Sequence, residues 1–167
     1  MATPTTLPAT FVADAVLTAA QQNDLRGAFR VLQVVSGSTA TQKSSSSTTY
    51  EDTNLTATIT PTSASSKVLV LVSQTGCGRE AGNAGSFLIL RLMRGSTEII
   101  VFEGTGAATN VSEVNFIGTC GTSFLDSPAT TSATIYKTQL KNNAAAASVK
   151  VQSLSSTSTI VLMEISA

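Results

Sequence analysis

The residues of this sequence that could do chemistry are two cysteines and a few isolated charges. Cys77 lies in TGCGRE and Cys120 in GTCGTS, and each is followed by a glycine. A nucleophilic cysteine needs a basic neighbour that lowers the pKa of its thiol, and near Cys77 only Arg79 is available along the chain. We therefore interpret both residues as free structural thiols, while the sequence leaves a disulfide between two strand ends open.

The acidic residues do not form an obvious acid–base pair. Glu51 and Asp52 are adjacent, and adjacent side chains of a strand point to opposite faces. Glu164 in IVLMEIS and Arg91 in LILRLMR each interrupt a strongly apolar run. Because an unpaired charge in a core strand is costly, each of the two needs a partner, which a second subunit could supply. Arg91 and Glu164 are therefore candidate charges at a subunit interface.

The composition excludes several classes of site. The 167 residues include no His and no Trp, and ten basic residues balance ten acidic ones. Without histidine there is neither a Ser-His-Asp triad nor an imidazole metal site, and scattered basic residues do not form a nucleic-acid surface. No apolar run approaches the about 18 residues of a membrane helix. We predict a protein that is not an enzyme, with no catalytic, cofactor-binding or metal-binding residue and no nucleic-acid or membrane partner.

Short strands must position these residues. In NLTATITP the residues Leu55, Ala57 and Ile59 alternate with threonines, which is typical of a half-buried strand. KVLVLVS and SFLILRLM are apolar on both faces, as expected of central strands covered on both sides. TATQKSSSST reads as a solvated loop and QTGCGREAGNAG as a turn region. The pattern predicts an all-β fold, an antiparallel sandwich or jelly roll of about eight strands.

The beginning of the chain differs from the rest. MATPTTLPAT holds two of the four prolines and favours an extended backbone. LTAAQQNDLRGAF favours one short helix, and a helix under about 12 residues needs a surface to pack on. We therefore divide the chain into an anchoring arm with a short helix, residues 1–28, and a sandwich domain, residues 29–167. The candidate anchoring residues are Phe11, Val12, Leu17, Leu25 and Phe29.

Four stretches resemble segments of bacteriophage virion proteins. LPATFVADAVLTAAQQNDLRGAFRVLQVV is similar to an N-terminal segment that leads from an extended arm through a short helix into the first strand. TATITPTSASSKVLVLVS is similar to a segment of tail-fibre-like and head-decoration-like proteins. LRLMRGSTEI, with its turn at residues 94–97, and the closing STIVLMEIS resemble a hairpin and the final strand of the same domains. The resemblance implies a non-enzymatic virion protein with a jelly roll like that of the tumour-necrosis-factor family, usually a homotrimer.

From the residues and the resemblance together we expect a capsid decoration (cement) protein. It would be a homotrimer in the virion, assembled in the host cytoplasm, with the major capsid protein or another virion protein as its partner and with no cofactor. One alternative is a short tail fibre or tail tip that binds a receptor. A more remote alternative is a carbohydrate-binding module or adhesin, a class that usually presents aromatic platforms, whereas this chain has no Trp and two Tyr.

Overall fold

The structure, a computed structural model, describes Ala19 and residues 30–80, 85–109 and 114–166. These ranges contain ten strands. A short turn over Ser153–Ser155 joins the last two of them. No helix in the described ranges is both long enough and apolar enough to cross a membrane. The strands are β1 (Val31–Thr39), β2 (Lys43–Ser45), β3 (Glu51–Ile59), β4 (Lys67–Arg79), β5 (Leu88–Arg94), β6 (Thr97–Gly106), β7 (Asn115–Asp126), β8 (Thr134–Asn142), β9 (Val149–Val151) and β10 (Ser158–Ile165).

The strands form two antiparallel sheets that pack against each other. In sheet A the long strand β4 is central, with β7 on one side and β10 and β9 on the other. β1 pairs with β10, and β2 pairs with β9. β1 and β2 therefore form the edge of sheet A that lies opposite β7. Sheet B has the order β3-β8-β5-β6. The predicted all-β antiparallel sandwich is thus confirmed.

A two-residue turn joins β5 to β6 at the position expected from the sequence. Arg94 pairs with Thr97 across the turn, and Gly95 has a φ of 56°. Two-residue hairpin turns need a positive φ at a central residue, which glycine adopts without steric cost. Glycine at position 95 therefore fixes the register of this hairpin.

The core consists of two apolar clusters, both formed by inward-facing residues of the strands. The alternation predicted for β3 is confirmed, since Leu55, Ala57 and Ile59 are buried. The first cluster contains Leu55, Ala57, Ile59, Val68, Val70, Val72, Leu92, Tyr136, Ile160 and Leu162. The second contains Cys77, Leu88, Leu90, Cys120, Leu140, Val149 and Val151.

A layer of uncharged polar side chains lies between the two clusters. Gln74 on β4 is fully buried; its Oε1 accepts a hydrogen bond from Oγ1 of Thr138 at 2.8 Å, and its Nε2 donates to Oγ of Ser158 at 3.1 Å. The hydroxyl of Thr53 bonds that of Thr138, and Nε2 of Gln152 donates to Oγ of Ser158 at 3.1 Å. This layer, which we call the polar layer, joins both sheets through the interior and satisfies groups that would otherwise be costly to bury.

Two segments that the sequence assigned to loop and turn contain strands. Within TATQKSSSST, β2 pairs with β9 and Ser45 is buried, so the prediction of a solvated loop was wrong there. In QTGCGREAGNAG the first six residues, up to Arg79, continue β4, because β7 and β9 supply backbone partners for them. Register shifts between Gln74 and Gly78 accommodate the glycines. The glycines of this segment alone predict a turn, but hydrogen bonding to the neighbouring strands keeps its backbone extended.

Candidate interaction surface

Glu164, a predicted interface charge, is fully buried on β10. Its carboxylate accepts hydrogen bonds from Nε2 of Gln33 at 2.6 Å and from the backbone N–H and the hydroxyl of Thr62, both at 2.7 Å. Burial alone raises the pKa of this carboxyl, but the hydrogen bonds from Gln33 and Thr62 outweigh burial and hold the pKa below its ordinary value. The chain itself therefore satisfies the charge of Glu164.

Arg91, the other predicted interface charge, also finds its partners within the chain. Its Nε and Nη2 donate to Oε1 of Gln139 at 2.9 and 2.7 Å, and its Nη1 donates to Oε2 of Glu98 at 2.7 Å. The guanidinium lies over the ring of Tyr50, 3.7 Å from the centroid. The partners that Arg91 and Glu164 require are thus intramolecular, and a contact of either residue with a second subunit stays a prediction.

Cys77 and Cys120 lie on the adjacent strands β4 and β7 and share one apolar cluster. Both are free and buried. A hydrogen bond with Cys120, together with burial, raises the pKa of the Cys77 thiol. A raised thiol pKa keeps Cys77 protonated at neutral pH, which agrees with a structural thiol and argues against a nucleophile.

Glu51 and Asp52 bind different lysines. Glu51 lies 3.1 Å from Nζ of Lys43, whose hydrogen bond lowers the pKa of this carboxyl. Asp52 accepts hydrogen bonds from Nζ of Lys137 at 2.9 Å and Nε2 of Gln139 at 2.7 Å; burial raises its pKa, and these bonds lower it by more. Within the described ranges, no three acidic or cysteine side chains meet where they could hold a metal ion.

A partly buried ion pair that was not predicted from the sequence connects the two sheets. Nη1 of Arg94 on β5 lies 2.8 and 2.6 Å from the two carboxylate oxygens of Asp126 on β7. The hydroxyl of Tyr136 on β8 donates to the same carboxylate at 2.6 Å. Burial, and then the Asp126 carboxylate, raise the pKa of Tyr136. An acidic residue directly after the apolar run of β7 was the available signal for this pair.

The outer face of sheet B is polar. Asp52, Lys137, Gln139, Arg91 and Glu98 form a continuous series of hydrogen bonds across strands β3, β8, β5 and β6. Such exposed pairs contribute little stability but keep a surface hydrated. This face has the chemistry of a surface in contact with solvent.

The central part of the outer face of sheet A, which we call the uncharged face, has no charged side chain; Lys67 lies on the same side of β4, beyond this part. The strand register aligns three rows of outward-facing residues across β1, β10, β4 and β7. The first row is Val34, Met163, Leu69 and Leu125; the second is Ser36, Val161, Leu71 and Ser123; the third is Ser38, Thr159, Ser73 and Gly121. Val34 is 56% exposed and Leu125 is 55% exposed. These two exposed side chains stand at the two ends of the first row, on β1 and β7.

The two faces of β4 are buried to different degrees by the described residues. KVLVLVS was predicted to be covered on both sides, and β4 is indeed the central strand of sheet A. Its inward residues Val68, Val70 and Val72 are buried, whereas Leu69 and Leu71 are only partly buried on the outer face. Among the described residues no second layer covers this face.

The five predicted anchoring residues, Phe11, Val12, Leu17, Leu25 and Phe29, lie outside the described residues. The described domain begins at Arg30, whose backbone N–H donates to Oγ of Ser166 at 2.8 Å. The start of β1 is therefore fixed beside the end of β10, beyond the pair of Val31 with Ile165. No protein-family model matches the sequence, and no curated protein matches it.

Proposed function

We propose that the protein is a non-enzymatic structural protein of a bacteriophage virion. It acts as a capsid decoration (cement) protein, a homotrimer anchored to the shell through residues 1–28. The observation that carries this proposal is the contrast between the two outer faces of the sandwich: sheet A has three neighbouring rows without a charged side chain, whereas sheet B has a series of ion pairs and hydrogen bonds. A chain with one such apolar face buries it against copies of itself or against a larger assembly.

The strand pairing supports a jelly roll as the finer description of the sandwich. If β1 with β2, and β9 with β10, count as single interrupted strands, the described ranges hold eight strands. The first pairs with the last, the second with the seventh, the third with the sixth and the fourth with the fifth. A long antiparallel ribbon wrapped into two sheets in this way has jelly-roll connectivity.

The mechanism of a decoration protein is mechanical. Apolar area buried at contacts between subunits stabilises the assembly by roughly 25 cal/mol for each Å² removed from water. Trimers seated across junctions of the capsid lattice would therefore oppose the outward pressure of packaged DNA without any chemical step. The polar face of sheet B would remain exposed to solvent.

The oligomer is tested by native mass spectrometry of the full chain and two variants. We expect the wild type at three times the 17.1 kDa of one chain, and Leu125→Lys as a monomer, because the lysine places a charge in the first row of the uncharged face. Ile135→Lys is the matched control, since Ile135 is 48% exposed on the outer face of sheet B. A monomeric wild type, or a trimeric Leu125→Lys variant, would contradict the proposal.

The position in the virion is tested by the copy number in purified particles. A decoration protein covers the shell in hundreds of copies, whereas a short tail fibre or tail tip is present in tens at most. The second candidate, a receptor-binding tail protein, is favoured by a cleft at one end of sheet A. A low copy number would select this second function and reject the decoration role.

A further inference from the structure

A cleft opens between β4, β7 and the turn that joins β9 to β10. Its volume is about 400 Å³, within the about 300–1,000 Å³ typical of small-ligand pockets. None of the lining residues that the structure describes is charged. The residues that give the cleft its chemistry are Thr75, Phe116, Thr119, Ser153, Leu154 and Thr157.

The wall of the cleft has a strained backbone. Gln152, Leu154 and Ser155 have φ values of 54°, 55° and 59°, in the left-handed region that non-glycine residues rarely adopt. Gly76 faces them with a φ of 59°, and a Cβ at this position would lie 2.3 Å from the backbone nitrogen of Ser153. Strain of this kind is concentrated at ligand sites, where the fold holds a backbone shape that it would not otherwise take.

Two buried polar atoms at this wall have no hydrogen-bond partner among the described residues. They are Oγ of Ser153, a residue only 4% exposed that lines the cleft, and Oε1 of the fully buried Gln152. The amide of Gln152 is held in place by its bond to Ser158 in the polar layer. Only Ser153 of the two lines the cleft. Because buried polar atoms in folded proteins are nearly always bonded, its hydroxyl points to a hydroxyl-bearing ligand in the cleft.

The mouth of the cleft is apolar. The ring of Phe116 is 52% exposed, and Leu154 is 91% exposed. Nζ of Lys150 lies 4.8 Å from the centroid of the Phe116 ring and is itself paired with Glu80 at 3.7 Å, so its charge is already compensated. The mouth therefore offers an aromatic surface beside neutral hydroxyl groups.

We propose that this cleft binds a neutral saccharide. Sugar hydroxyls would bond Oγ of Ser153 and the threonine hydroxyls, since a hydroxyl both donates and accepts. The C–H groups on the apolar side of the sugar ring would pack on Phe116, whose π face carries partial negative charge. The absence of charge in the lining disfavours sialylated, sulfated or phosphorylated ligands. The inference stands independently of the proposed virion role.

The test is a glycan array that carries neutral and acidic oligosaccharides, probed with the full-length protein. We expect binding to neutral glycans, at least tenfold weaker binding by Phe116→Ala, and about threefold to tenfold weaker binding by Ser153→Ala. Ile135→Ala is the matched control, because Ile135 is an apolar residue of similar exposure that lies outside both the cleft and the uncharged face; its binding should be unchanged. Circular dichroism confirms that each variant is folded.

A second arm separates free oligosaccharides from polymers. Gels that contain dextran or mannan would retard the wild type, and not Phe116→Ala, if the cleft recognises a longer chain than those on the array. Binding in either arm that depends on Phe116 supports the proposal. Failure to bind in both arms, binding to acidic glycans only, or binding that survives Phe116→Ala would overturn it.

Discussion

Glu164 is a buried carboxylate that is stabilised by hydrogen bonds rather than by an ion pair. Gln33 and Thr62 direct three donors at its two oxygens. Removing the charge would leave these donors without an adequate acceptor, and a buried donor left unsatisfied costs about 1–3 kcal/mol. This single residue thereby fastens the edge strand β1 and the segment after β3 to β10.

We predict that Glu164→Gln lowers the free energy of unfolding at pH 7 by about 1–3 kcal/mol, because an amide nitrogen would face a donor. The matched control is Glu98→Gln, which removes an exposed ion pair with Arg91 and should change stability by about 0–1 kcal/mol. Urea unfolding followed by circular dichroism measures both. Equal effects of the two substitutions would contradict the role assigned to Glu164.

The difference in unfolding free energy between the wild type and Glu164→Gln should depend on pH, and the sign of this dependence follows from the pKa of Glu164. The folded-state pKa of Glu164 lies below its ordinary value of 4.5, so the ionised carboxylate contributes its full stability above pH 4.5. That contribution is lost as the pH falls through the lower folded-state pKa. The stability difference between wild type and Glu164→Gln should therefore shrink on acidification, and urea unfolding at pH 3 would show it. A constant difference from pH 7 to pH 3 would rule out this linkage.

At the residue scale the sequence indicated which charges need partners but not where those partners lie. Glu164 and Arg91 stood out because each interrupts an apolar run. The donors to Glu164 come from Gln33 and Thr62, which are 131 and 102 positions away along the chain. Only the pairing of strands brings such distant residues together, so no local pattern could have predicted these contacts.

At the scale of elements, the polar layer couples the two sheets through their common interior. Gln74 on β4 bonds Thr138 on β8 and Ser158 on β10. Its amide therefore links a strand of sheet B to two strands of sheet A. Such a network is specific because each buried group depends on the position of the others.

We predict that Gln74→Leu destabilises the protein by about 1–3 kcal/mol, because Thr138 and Ser158 each lose a buried partner. The double variant Gln74→Leu with Thr138→Val should lose less unfolding free energy than the two single variants lose in sum. Replacing both partners of a hydrogen bond by apolar groups is nearly neutral. Thr58→Val, on the exposed face of β3, is the control. Strictly additive losses in urea unfolding would show that the layer is not coupled.

The sequence predicts a strand where apolar and polar residues alternate clearly. It does not predict one where only pairing with a distant strand keeps the backbone extended. β3 was predicted because the apolar residues Leu55, Ala57 and Ile59 occupy every second position. The segment from Gln74 to Arg79 has three polar or charged residues and two glycines, and its extended form depends on β7 and β9. Its local composition therefore favoured a turn, and the partners that reverse this preference lie far away in the sequence.

At the scale of the whole molecule, the described residues form a self-contained sandwich. Arg30 and Ser166 exchange backbone and side-chain hydrogen bonds at 2.8 and 2.9 Å, which closes the domain at its two ends. All the strand pairings lie between these two residues. Residues 1–28 lie outside the described residues apart from Ala19, and their role in attachment stays a prediction.

We predict that deletion of residues 1–28 leaves a folded β domain that no longer attaches to the virion. A cooperative thermal transition with a β-type circular dichroism spectrum would show the fold. Sedimentation with particles that lack the protein would measure attachment, and the full-length chain serves as the control. Co-sedimentation of the truncated chain would refute the anchoring role of Phe11, Val12, Leu17, Leu25 and Phe29.

The sequence predicted the sandwich as a whole but not the difference between its two faces. The apolar runs of β4 and β5 were interpreted as strands covered on both sides. An outward-facing Leu69 or Met163 has the same local pattern whether a second layer, another subunit or solvent covers it. Only the register, which aligns Val34, Met163, Leu69 and Leu125 in one row, shows that these residues form one surface.

The nested strand pairing also has a consequence for the order in which the chain folds. The β5–β6 hairpin closes a two-residue loop at Gly95, whereas β1 and β10 close a loop that contains almost the whole domain. Loop-closure entropy grows with length, and folds dominated by distant contacts fold on the scale of milliseconds to seconds. Folding that starts at the hairpin and proceeds outward adds the uncharged face late, because its outermost strands are the last to pair. Until then β4 has an open hydrogen-bonding edge, and that interval is when a neighbouring chain could pair with it in the wrong register.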